Sequence, residues 1–143
     1  MPEPREPRSI IELAEQAAAA GNYASAEELL REAALVQEAS LGPLHPDLAN
    51  TLNNLGVVCE ITGNGVDAEH CFRRAFTIAT AALEPDHPFV ATSRKNLRDF
   101  CEARENYHCS NRRCSQNRTS YSRSYERDLF AHSRLAPWAL SQY

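Results

Sequence analysis

Apolar residues recur every three or four positions through roughly the first hundred residues, a spacing that predicts helices and not strands. Over 10–20 the shared face is Ile10, Leu13, Ala14 and Ala17. Ser9 with Glu12 three residues on reads as a capping box, and Gly21-Asn22 reads as a stop. A second helix is expected over 23–40, with Tyr23, Ala26, Leu30 and Ala33, extended by Val36 and Leu41, on its inner face. Glu27, Glu28, Arg31 and Glu32 fall on the outer side. Gly42-Pro43 ends it, and Pro46 suits the first turn of the next helix, where a missing N–H costs nothing. That third helix is expected over 46–61 with a stripe of Leu48, Leu52, Leu55, Gly56 and Cys59. A fourth, over 66–82, buries Ala68, Phe72, Ala75, Phe76, Ile78 and Ala79. A fifth, over 88–104, turns Val90, Ala91, Leu97 and Cys101 inward.

The pattern repeats. Leu44-His45-Pro46 finds its counterpart in Asp86-His87-Pro88, and the two histidines are 87 − 45 = 42 residues apart. Gly21-Asn22 and Gly63-Asn64 lie at the same offset, 63 − 21 = 42. A constant period of this length is the signature of stacked helical units, each sealing its neighbour's apolar face. The expected architecture is all-α, with about two and a half helix pairs. Residues 1–8, with three prolines, read as a disordered leader, 9–104 as the repeat domain and 105–143 as a tail.

Charge sharpens that division. Residues 1–106 carry 9 Arg/Lys against 17 Asp/Glu, a net −8, whereas 107–143 carry 6 Arg against 2 acids, a net +4. The acidic body argues against a broad nucleic-acid surface. The tail over 108–126 is rich in Ser and Arg and nearly free of aliphatic residues, a composition that does not offset its ordering entropy. Leu129, Phe130, Leu135, Trp138 and Leu140 offer material for a short covering helix. The alternative is a terminus with no selected fold, of the kind a displaced reading frame creates. No apolar run reaches the roughly 20 residues needed to span a bilayer, and the charged, proline-rich N-terminus is no secretory signal. Cys59, Cys71 and Cys101 lie on apolar faces as small hydrophobes, which suits a reducing cytoplasmic location.

Gly21, Tyr23, Ala26, Leu30 and Ala33, with Leu52, Leu55, Gly56, Gly63, Ala68, Phe72 and Ala75, together resemble the tetratricopeptide repeat. The 42-residue period and the Leu-Gly-Pro-x-His-Pro loop are similar to the kinesin-light-chain type. The resemblance covers about residues 9–104. It implies a right-handed superhelical stack of antiparallel helix pairs whose first helices line a concave groove for a peptide segment. It places groove positions at Asn50, Asn53, Asn54 and Val57 in the second repeat, and at Thr92, Lys95, Asn96 and Asp99 in the third. Arg8, Ile11, Glu12 and Glu15 are their counterparts in the first. An asparagine amide both donates and accepts, so it can hold a peptide backbone whatever its sequence; the competing reading is that these asparagines bridge adjacent helices or simply face water. Arg98 departs from the pattern, standing where Gly56 allows a close helix approach.

The expected function is therefore a protein–protein interaction scaffold without cofactor or metal. The alternative is a self-associating module, stacking through the helix at 88–104, or a piece of a longer array. A weaker alternative is RNA contact through the Arg/Ser tail. No glycine-rich phosphate loop, nucleophile elbow or paired-acid motif is present, so no enzyme is expected. His45 and His87 are expected to hold their turns or pack on the preceding helix, since equivalent atoms in stacked repeats lie on the order of 10 Å apart, too far to act as a pair. His108, Cys109 and Cys114 lack the spacing of a zinc site.

Overall fold

The structure is a computed structural model and describes residues 5–111, with side chains to 105. Five helices follow one another: α1 Pro7–Ala19, α2 Tyr23–Leu41, α3 Pro46–Thr62, α4 Gly65–Ala82 and α5 Pro88–Asn111. No strand occurs among the described residues. Each helix packs on the next in chain order, giving the hairpins α1–α2 and α3–α4 with α5 laid against α4. The fold is an all-α solenoid.

The stops work as their residues suggest. Gly21 and Gly63 adopt φ of 80° and 88°. Beyond them the N–H of Asn22 donates to Ala17 O and that of Asn64 to Cys59 O, both at 2.8 Å, closing the helix ends. The two histidine loops are built alike as well. His45 Nδ1 accepts the Asp47 N–H and His87 Nδ1 accepts the Phe89 N–H, each at 3.1 Å. Each imidazole therefore satisfies one of the free N–H groups that open a helix. The histidines hold their turns.

The first helix starts earlier than the capping-box reading places it. Pro7 opens α1 with Glu6 as the flanking residue, and no side chain caps that end. The fixed φ of Pro7 is already helical and its absent N–H is not missed, so Ser9 lies inside the helix. The last helix runs seven residues past the expected end at Arg104. The place held by Gly21 and Gly63 is taken here by Glu105, which lacks their ease in the left-handed conformation, so nothing stops the helix. Met1–Pro4 of the leader, the covering residues Leu129–Leu140, Cys114 and the side chains of His108 and Cys109 all lie outside what the structure describes.

The core runs along the stack. Ala14, Ala26, Leu30, Leu48, Leu52, Leu55, Cys59, Ala68, Phe72, Ala75, Ile78 and Phe100 belong to one continuous cluster. In α3, every residue from Leu48 to Cys59 is buried except Asn50, which is half-buried. Three assignments of the helical stripes fail at the ends: Leu13 is 39% exposed, Leu41 is 45% exposed and Ala91 is exposed. Leu13 and Ala91 are the 42-residue counterparts of Leu55 and Ala49, which are buried in α3. Among the described residues no further helix covers those positions of the outermost helices.

The candidate groove and the joints that shape it

The candidate groove residues sit on α3 and α5, and the two helices touch. Asn96 Nδ2 donates to Asn53 Oδ1 at 3.1 Å. Asn53 is fully buried, and its own Nδ2 has no partner. Asn54, Val57 and Asn96 are buried as well, with exposures of 2%, 2% and 5%. So in the free chain Asn53 and Asn96 form the bridge between adjacent helices. The accessible members are Asn50, Thr92 and Asp99, each half-buried, and Lys95, which is exposed. Lys95 Nζ pairs with Asp99 Oδ2 at 2.7 Å, while the Thr92 hydroxyl donates to Pro88 O one turn back at 3.0 Å.

On α1, the Arg8 guanidinium lies 3.9 Å from Glu12 in an exposed pair. Ile11 and Glu15 are half-buried. Burial raises the Glu15 carboxyl above its ordinary value, and the nearby Glu12 charge adds to the shift. This wall thus offers carboxylates on α1, amides on α3 and an ammonium–carboxylate pair on α5.

Behind it, the hairpins are fastened by a repeated acidic latch. Glu27 on α2 accepts from Thr62 Oγ1 at 2.7 Å, from Asn64 Nδ2 at 3.0 Å and from Arg31 Nη2 at 2.7 Å. Arg31 reaches on to Asp67 at 2.7 Å. Burial pushes the Glu27 carboxyl up, but the hydrogen bonds from Arg31, Thr62 and Asn64 together outweigh it and hold it below the ordinary range. Forty-two residues later the device recurs. Glu69 accepts from Arg73 Nε at 3.0 Å and pairs with Arg104 Nη1. Glu27, Arg31 and Thr62 thus map onto Glu69, Arg73 and Arg104. Glu27 and Arg31 are not surface decoration: they tie one repeat to the next. The 42-residue offset carried this signal, because Glu and Arg four apart recur at the same place in both second helices.

A second joint lies at Gly56. A side-chain carbon placed there would meet the Phe72 ring at 2.8 Å, so the glycine is what lets α3 and α4 close up. Phe72 then stacks at a tilt on Phe100 of α5, ring centres 5.4 Å apart. Arg94 lies 5.8 Å from the Phe76 ring centre and Arg104 lies 5.7 Å from that of Phe100. The Arg94–Phe76 contact ties α5 to α4, whereas Arg104 and Phe100 are one turn apart on α5 itself.

Helix pairs of constant period, glycine stops, a small residue at the close crossing and one continuous core are the attributes of one repeat family. Two tetratricopeptide repeat models match the sequence, over residues 7–64 and 48–89. The chain is a tetratricopeptide repeat protein. Repeats of this family generally mediate protein–protein interactions, and the proteins that carry them are typically scaffolds without catalysis. No curated protein matches the chain. No helix among the described residues of this tetratricopeptide stack is long and apolar enough to cross a membrane.

Proposed function

We propose that the chain is a peptide-binding scaffold of the kinesin-light-chain-like type, working in the cytoplasm, and that its ligand lies along α1, α3 and α5. The observation that carries this reading is the chemistry of the wall. Asn53, Asn54 and Asn96 are buried amides on first helices, and the other buried polar side chains among the described residues are Gln37, Thr51 and Ser93. A buried amide costs free energy unless its bonds are made, and Asn53 keeps one donor unspent. Beside these amides, Asn50, Thr92, Lys95 and Asp99 are reachable from solvent. A peptide backbone would take hydrogen bonds from Asn50, Lys95 would meet a carboxylate, and Asn54 and Val57, buried in the free chain, would form the floor beneath it. Asn53 and Asn96 set the spacing of the two helices beneath it.

A peptide-display selection against the full chain tests this. Selected peptides should bind less tightly to Asn50→Ala and Lys95→Ala, while Glu28→Ala on the opposite side of the stack leaves them unaffected. Binding that ignores the first two substitutions and falls with the third would place the ligand elsewhere. Circular dichroism of each variant establishes that the fold is intact.

A further inference from the structure

Cys59 of α3 and Cys71 of α4 are both buried, at 0% and 5% exposure, and both are free thiols. They belong to one core cluster where α3 packs on α4, and each thiol acts on the other's ionisation, Cys59 pushed up and Cys71 down. Gly56 and Phe72 next to them bring the two helices together. The Arg31 guanidinium stands 3.9 Å from Cys59 Sγ, held there by Glu27 and Asp67.

Packing alone does not ask for sulfur at these places. Forty-two residues earlier the counterparts are Ala17 and Leu29, an ordinary apolar pair against the same core. The second repeat carries two thiols there, beside the Arg31 guanidinium of α2.

We propose that Cys59 and Cys71 form a reversible redox modification site, in which a small peroxide converts the dithiol to a disulfide that pins α3 to α4. Cys71 is the attacking sulfur. It is the less buried of the two, and the neighbouring Cys59 thiol favours its thiolate. The Cys71 thiolate attacks one peroxide oxygen. An S–O bond forms, the O–O bond breaks, and the departing hydroxide leaves as water with the thiol's proton. Cys71 is then a sulfenic acid, oxidised by two electrons, and the peroxide is reduced. Cys59 next attacks the sulfenic sulfur, forming the S–S bond as the S–O bond breaks. A second water leaves with the Cys59 proton. Two thiols and one peroxide thus yield one disulfide and two waters, and an external dithiol reverses the change. The closed ring of about 13 residues removes freedom chiefly from the unfolded chain, so oxidation locks the repeat that supplies the amide wall.

The test uses the full chain, hydrogen peroxide under native conditions, blocking of residual thiols and non-reducing peptide mass spectrometry. The expected result is a Cys59–Cys71 linked peptide as the principal disulfide, lighter by two hydrogens and restored by dithiothreitol. In Cys59→Ser, a 1,3-diketone probe should label Cys71 as its sulfenic acid. Recovery of Cys59 and Cys71 as free thiols after the other cysteines have oxidised would overturn the proposal. So would a principal disulfide that joins any other pair. The unsubstituted chain decides the matter even where the variant does not fold.

Discussion

α3 and α5 are the same helix written twice, 42 residues apart, and the stack treats them oppositely. Both begin at a proline behind a histidine whose Nδ1 caps the first turn. In α3 almost every residue of the central three turns is buried. In α5, Ala91, Arg94, Lys95, Arg98 and Glu102 face solvent. Gly56 lies in the tightest crossing of the molecule's second hairpin, whereas its counterpart Arg98 lies 3.8 Å from both Asp99 and Glu102. Thr62 makes a neutral bond to its latch glutamate, and its counterpart Arg104 makes an ionic one. A helix covered on both flanks needs small and neutral groups at its crossings. A helix at the end of the described stack is better served by charge, which solvates the open face.

The largest effect should come from exchanging the two crossing residues. Gly56→Arg forces a long side chain into the Phe72 ring and should cost 3 kcal/mol or more, above the range of about 1–3 typical of overpacking. Arg98→Gly should cost only about 1 kcal/mol, the helix-propensity difference, because nothing packs there. Urea unfolding of both variants measures the gap; equal losses would mean that the two crossings are alike.

The asparagine bridge between the two helices should come next. Asn96→Ala leaves the buried Asn53 with neither group bonded, for a loss of about 1–3 kcal/mol. Replacing both by leucine removes the stranded amide and should recover most of that loss, seen as a return of the denaturation midpoint. A double variant no better than Asn96→Ala would show that the amides position the helices in some other way.

The smallest and most condition-dependent effect concerns the latches. Glu27→Gln should cost about 1 kcal/mol at neutral pH, as a charge-assisted network with one exposed arm. The folded-state pKa of Glu27 lies below its ordinary value of 4.5. Its stabilisation is therefore complete above that value and is lost as the pH falls through the folded one. The gap in melting temperature between the wild-type chain and Glu27→Gln should narrow as pH is lowered from 6 toward about 3. A constant gap would locate the effect in packing and not in charge.

Much of the fold is legible along the chain. The helix pairs follow from apolar periodicity, their ends from Gly21, Gly63 and the His-Pro loops, and the stacking from the 42-residue echo. These are local properties: backbone freedom, a missing N–H and the side on which apolar groups fall all act within a few residues. The candidate groove was legible only by analogy. One sequence shows that Asn50, Asn53, Asn54 and Asn96 recur on first helices, but not which of them lie open.

What the tertiary structure alone decided is which neighbours each position meets. Leu13 and Ala91 obey the helical stripe and still face solvent, because no further helix among the described residues covers them. Asn53 and Asn96 turn to each other because α3 and α5 come close enough for one bond. Glu27 and Arg31 read as surface charges until Thr62, Asn64 and Asp67 are brought beside them. Cys59 and Cys71 each read as a small hydrophobe until α3 and α4 pack together and gather both into one cluster. Local pattern specifies helices because their hydrogen bonds close within four residues. Burial, pairing and pKa depend on groups some twelve to forty positions away, and only packing brings those together.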